Sequence, residues 1–344
     1  MSDEPKRRIR LGFIGCGGHA SGTLFPSLMQ VDEIEWAAVC DLNEARLNKA
    51  ADKWRVPARY RDYKVMLERE ELDAVAVVAQ PWDMPALAID VLERGFPLFM
   101  EKPPAISVQV AAQLAEAARK AAKPAMMATH WRHAPAYARA RQIIAHDDFG
   151  APILLEGRFH APGPVKGNAD QGIDAPWLFL LFQGVHLIDS TRSLCGDIQS
   201  VSARLNGDAK AFRSLAVSLT FQSGAVGLLS MASNSAVFTN SHRVVSAKGA
   251  TVMIENQREL TSIGVPHWTG DRPGYRSYIT RTWSAGINDF YCRAPGYVEE
   301  LRHFAQCLLK GEQPRANLDD GLAALQTLQA IYDSAEQGGA PVAV

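Results

Sequence analysis

No stretch of this 344-residue chain approaches the about 18 consecutive apolar residues of a membrane-spanning helix. The amino terminus, MSDEPKRRIR, lacks the apolar core of a secretion signal. Cysteine is scarce: Cys16, Cys40, Cys195, Cys292 and Cys307 are odd in number, widely spaced and never form a Cys-x-x-Cys pair. That argues against a disulfide framework or a zinc site and fits reduced thiols in a cytoplasm. Charge of one sign is lacking too, with 36 Lys and Arg against 37 Asp and Glu and a net charge of -1. A dominant attraction to nucleic acid or anionic lipid is thereby excluded. No repeat and no low-complexity segment is visible.

What remains is a globular balance, 47% hydrophobic and 21% charged, long enough for two domains at roughly 150 residues each. The first 130 residues alternate short apolar runs (9–15, 35–41, 73–80, 97–102, 125–130) with helical patterns (43–54, 84–95, 107–122). Near-continuous apolar strands separated by helices predict a doubly wound parallel sheet covered on both faces. After PAYARARQIIAHDDFG the pattern changes to alternation, in ILLEGRFH, FRSLAVSLTFQ, AVGLLSMAS and HRVVSAKGATVMIE. Alternation with tight turns predicts a large open, mainly antiparallel sheet. Helices are expected over 177–194 and 297–314, and a short strand at the carboxyl end. The fold class is therefore α/β, with a nucleotide-binding domain over 1–127 and an α+β domain over 128–344.

Between the first strand and its helix stands GCGGHA, residues 15–20. Gly15 permits a tight turn, Gly17 a close backbone approach to a pyrophosphate, and Ala20 close packing of helix on strand. Cys16, Gly18 and His19 complete the loop, whose N–H groups would face phosphates. Asp41 ends the second strand, where a carboxylate accepts ribose hydroxyls and repels a 2′-phosphate. NAD is thus favoured over NADP, although Arg46 stands near enough in sequence to reach a phosphate. Alternatively the loop is a plain structural turn and Asp41 a helix cap.

LFMEKPPAI, residues 98–106, ends an apolar strand on Glu101 and Lys102, followed by two prolines. Ligands of open parallel sheets bind at the carboxyl ends of the strands. An ammonium held there can hydrogen-bond a substrate hydroxyl and stabilise alkoxide charge. The plain alternative is a surface lysine paired with Glu101.

GCGGHA, EKPPA (101–105), RHAPAY (132–137), GVHLID (184–189) and YVEELRHFAQCLLKGEQP together resemble the glucose–fructose oxidoreductase, inositol dehydrogenase and MocA (Gfo/Idh/MocA) family. The resemblance covers nearly the whole chain. It implies a Rossmann domain, a second domain with a large open sheet, and NAD(P)-dependent oxidation of a secondary hydroxyl on a sugar, cyclitol or related polyol. It implies that Lys102 is catalytic and that a cis bond precedes Pro103. It also implies a homodimer or homotetramer joined through the open sheet. Gln80 and Pro81, at the end of the 73–80 strand, with Glu101 and Lys102, complete the cofactor-binding set expected with the glycine loop and Asp41.

His186 is the natural base for the substrate proton, since an imidazole titrates near neutrality. Asp189 and Arg192 follow at helical spacing, and a structural His186 tied to Asp189 is the plain alternative. Relatives that oxidise polyols carry an aspartate four residues before this histidine; here that residue is Phe182. Either the ring stacks on a substrate, or ordinary dehydrogenase chemistry is lost. Redox-neutral elimination or glycoside cleavage, and a cofactor-bound sensor without turnover, are therefore kept as alternatives. His130, Trp131 and Arg132, with Trp177, Phe182 and Asp189, are candidate substrate residues, although Trp131 also suits a core. HWRH offers two histidines without a legible third ligand, so no metal is expected.

Overall fold

The computed structural model describes residues 7–264, 280–284 and 295–344; the first six residues and Cys292 lie outside that set. The chain divides into two compact units, residues 1–130 with 289–322, and residues 131–288 with 323–344.

The first unit is built on six strands: β1 (Ile9–Ile14), β2 (Ile34–Cys40), β3 (Ala58–Tyr60), β4 (Ala74–Val77), β5 (Leu98–Glu101) and β6 (Ala125–Ala128). Their order is β3-β2-β1-β4-β5-β6, every neighbouring pair parallel. β4, β5 and β6 are buried at every position, which is why they read as unbroken apolar runs. The strand order reverses between β1 and β4, and ligands of such sheets bind beyond the carboxyl ends at that point. Polar side chains start the covering helices. Asn43 accepts the Arg46 N–H at 3.0 Å to cap Glu44–Trp54, and Ser107 caps Val108–Ala121. The late helix Tyr297–Lys310 belongs to this unit. Its Leu301, Phe304 and Ala305 share a core with Leu11, Phe13 and Phe25.

The second unit carries a nine-stranded sheet: β7 (Pro152–Pro162), β8 (Ile198–Asp208), β9 (Ala211–Phe221), β10 (Val226–Ser235), β11 (Thr239–Ser246), β12 (Thr251–Glu255), β13 (Glu259–Ile263), β14 (Thr280–Ser284) and β15 (Val342–Ala343). The order is β14-β13-β12-β11-β7-β10-β9-β8-β15. Only β7 and β10 pair in parallel among the described strands of this sheet. Along β9 and β10 buried and exposed residues alternate, so one face packs and the other is open. The open face bears Val226 and Leu228, with cross-strand ion pairs Arg158–Glu255 at 3.1 Å and Arg243–Glu156 at 3.5 Å.

The helix expected over 177–194 is three pieces: Ala175–Phe179, a π-helical turn Leu180–Gly184, and Val185–Cys195. Among the described residues no helix is long and apolar enough to cross a membrane.

Candidate active site

Gly15 has φ +104°, and a Cβ there would lie 1.9 Å from the Val78 carbonyl oxygen, so only glycine fits where the loop crosses β4. A Cβ on Gly17 or Gly18 would meet no described atom within 4 Å, which leaves that backbone open to a ligand. Ala20 is fully buried and begins a π-helical turn, Ala20–Leu24, of the kind frequent at functional sites. Asp41 closes the loop from the side. Its Oδ2 accepts the Cys16 N–H at 2.6 Å and its Oδ1 the Asn43 N–H at 2.7 Å. Each oxygen keeps acceptor capacity for a ribose hydroxyl, so binding and capping roles are compatible. The loop thus fits a dinucleotide: a glycine turn, an open backbone and a carboxylate at the end of β2. Burial, reinforced by Asp41, pushes the Cys16 and Cys40 thiols up to about 12, which leaves both inert. Gln80 is exposed just past β4, and its carbonyl accepts the Asp83 and Met84 N–H groups at 2.9 Å; Pro81 beside it is buried.

Glu101 is buried at the end of β5. His19 Nε2 lies 2.9 Å from its Oε1, and the Lys102 N–H donates to its Oε2 at 3.1 Å. Burial alone would raise the Glu101 carboxyl; His19 and Lys102 outweigh it and hold that carboxyl below its ordinary value. Lys102 is half-buried, and its bond to Pro103 is cis. Burial pushes the Lys102 ammonium down, against the upward pull of Glu101 and Glu300. His130 is buried with its ring stacked on Tyr297, centroids 4.0 Å apart. Burial first, then the charges of Lys102 and His19, holds its imidazole well below the usual range, so it stays neutral.

In the second unit His186 is buried on the helix Val185–Cys195, its ring stacked on Trp131 at 5.4 Å. Trp131 is 2% exposed and also packs on Tyr137 and Phe159. Arg132 Nε donates to Asp189 Oδ2 at 2.7 Å, both side chains buried. Phe182 is half-buried on the π-helical turn. The Trp177 N–H donates to Asp174 Oδ1 at 2.8 Å, and its ring meets Tyr332 edge-on at 5.7 Å. Arg192, in the last turn, pairs with Asp197 at 2.5 Å. Among the described residues no group of three or more His, Cys, Asp or Glu is placed to hold a metal ion.

Two groups escape sequence reasoning. Tyr297 and Glu300 line one face of the Tyr297–Lys310 helix, where YVEEL reads as an ordinary amphipathic start. The buried His242 ring lies 2.7 Å from the Tyr137 hydroxyl and 3.1 Å from Thr191 Oγ1, residues 105 and 51 positions away in the chain.

Residues 9–129 match the family model described as the oxidoreductase family NAD-binding Rossmann fold, and residues 141–344 match that family's C-terminal alpha/beta domain. The chain therefore belongs to the Gfo/Idh/MocA oxidoreductase family. It is 23% identical to the D-apiose dehydrogenase of Paraburkholderia graminis, over 96% of this chain and 89% of that protein. It is 24% identical to an NADP(+) D-xylose 1-dehydrogenase of Haloferax volcanii, over 96% and 99%. A levoglucosan dehydrogenase solved with NADH and L-sorbose has the same fold, with TM-score 0.83 and 18% identity over 98% of this chain and 99% of that one.

Proposed function

We propose that this enzyme oxidises a secondary hydroxyl of a sugar, cyclitol or related polyol, with NAD as the preferred acceptor. The observation that carries the reading is Lys102, set directly after β5 beside a Glu101 that His19 of the glycine loop holds at 2.9 Å. The sugar dehydrogenases among its relatives support the substrate class. NAD, when bound, takes up the hydride. Lys102 Nζ hydrogen-bonds the substrate hydroxyl and stabilises the alkoxide charge that grows as the hydride leaves. His186 takes the hydroxyl proton, a contribution of about 10²–10⁴ in rate. The buried Arg132–Asp189 pair fixes the helix that carries His186. Gly15, Cys16, Gly17, Gly18, His19, Ala20, Asp41, Gln80 and Pro81 hold the cofactor, and His130, Trp177 and Phe182 face the substrate.

Phe182 favours a second reading, because it stands where the family resemblance implies an aspartate. In that reading oxidation is transient, elimination or glycoside cleavage follows, and the cofactor is restored. Screening sugars, cyclitols and glycosides with NAD separates the two. Net NADH formation supports dehydrogenation; product without NADH supports the redox-neutral route; no product with any of them contradicts both and leaves a sensor. The protein works in the cytoplasm as a dimer or tetramer joined through the open sheet face, whose Val226 and Leu228 are exposed on the single chain. A monomeric mass in light scattering at micromolar concentration contradicts that assembly.

A further inference from the structure

The Tyr297–Lys310 helix brings a carboxyl group into the Lys102 cluster that the proposed chemistry does not use. Glu300 is 0% exposed, and neither of its carboxyl oxygens has a hydrogen-bond partner among the described residues. It lies one turn beyond Tyr297, whose ring stacks on His130 and meets His19 edge-on at 5.8 Å. Its neighbour Glu299 is occupied elsewhere, accepting the Gly296 N–H at 3.1 Å as part of the helix cap. A buried carboxyl is costly unless another group compensates it, and among the described residues Lys102 is the cation that acts on Glu300.

We propose that Glu300 is a positioning residue for Lys102, a buried carboxyl whose ionisation supplies the counter-charge that keeps Lys102 an ammonium. The inference rests on the reading of Lys102 as the group that meets the substrate hydroxyl. Among the described residues five titratable groups share the neighbourhood: Glu101 at the end of β5, Lys102 after it, Glu299 on the same helix, His19, whose charge acts on Glu101, and His130, which stays neutral. Glu101 is already held charged by His19 and Lys102. Two carboxylates sharing one lysine do not ionise together easily. Burial, then Glu101 and Glu299, therefore raises the Glu300 carboxyl well above its usual range, while Lys102 pulls it back. Reciprocally, Glu300 supports the ammonium against burial. The two groups titrate against each other: as pH rises Glu300 ionises, and the charge it gains delays the loss of the Lys102 proton. Lys102 thereby stays a hydrogen-bond donor over a wider pH range than its burial alone would permit.

The test is competitive acetylation of the full-length protein by trace acetic anhydride across pH, with Lys102 followed by peptide mass spectrometry. Only the unprotonated amine reacts, so the rate reports the proton on Nζ without any substrate. Glu300→Gln keeps the shape of the neutral acid and removes its charge. Its Lys102 should acetylate about tenfold faster than the wild type at a pH below the inflection, the equivalent of one pKa unit. Glu300→Asp keeps the charge but loses the same packing contact, and should acetylate within about threefold of the wild type. It also decides the matter if the glutamine variant does not fold, because a tenfold rise with aspartate would show a packing effect. Equal rates in wild type and Glu300→Gln, or equal rises in both variants, would overturn the proposal. Loss of the lysine's catalytic role would show separately, as turnover in Lys102→Ala.

Discussion

His19 Nε2 lies 2.9 Å from Glu101 Oε1, a contact that spans 82 residues and ties the glycine loop to the strand end that carries Lys102. The loop that would cradle phosphates and the segment that would hold the substrate hydroxyl are therefore directly linked. His19→Ala should cut this tie. NAD affinity, measured by calorimetric titration, should fall roughly tenfold, the size of one charge-assisted hydrogen bond. An affinity equal to that of the wild type would show that the loop holds its shape without the contact.

Asp41 accepts two backbone N–H groups and still has room for ribose. Asp41→Ala should weaken NAD binding, because both the ribose acceptor and the brace on Cys16 are lost. Asp41→Ser with Leu42→Arg should shift the NADP-to-NAD affinity ratio upward, since the repulsion against a 2′-phosphate is gone. Cofactor ratios unchanged in both variants would make Asp41 a cap alone.

Much of this arrangement is legible in the amino-acid sequence. β1, β2, β4, β5 and β6 stand out because strands covered on both faces must be apolar throughout. GCGGHA and EKPPA lie at strand ends, where chemistry and backbone geometry both constrain residue type. The edge strand Ala58–Tyr60 escapes, being an exposed residue between two half-buried ones with no apolar run. The π-helical turn at Leu180–Gly184 escapes because LLFQG has no spacing that separates it from an α-helix. Arg132 and Asp189 each read as a substrate residue. Their pairing spans 57 positions, and only the fold brings such distant residues into contact.

That pair carries a stability prediction. Arg132 and Asp189 are about nine-tenths or more buried, and removing one partner takes a hydrogen-bonded counter-charge from the other in the interior. Asp189→Ala should lower unfolding free energy by about 3–5 kcal/mol in urea titration. The Arg132→Ala, Asp189→Ala double variant should lose less than the sum of the single losses, since their shared contact can be lost only once. Strict additivity would show that the contact contributes nothing.

Acid should act through His242. Burial pushes its imidazole down to about 3, so it is neutral in the fold and protonates far more readily once unfolded. Between its unfolded value of about 6.5 and about 3 the unfolded chain binds the extra proton, so stability is retained above that window and falls as pH falls through it. His242→Gln, which cannot titrate, should show a shallower loss of stability with acid over the same range, although its stability at neutral pH drops with the Tyr137 and Thr191 contacts. Parallel acid profiles for the two proteins would remove His242 from the account.

Lys102→Ala is the most direct trial of the central claim that Lys102 holds the substrate hydroxyl. With a sugar or polyol that the wild type oxidises, kcat should fall by at least about 10²–10³, the cost of removing one donor to a developing oxyanion. NAD affinity should stay within about threefold, because the glycine loop and Asp41 are untouched. Full turnover in Lys102→Ala, with NAD still bound, would contradict the account.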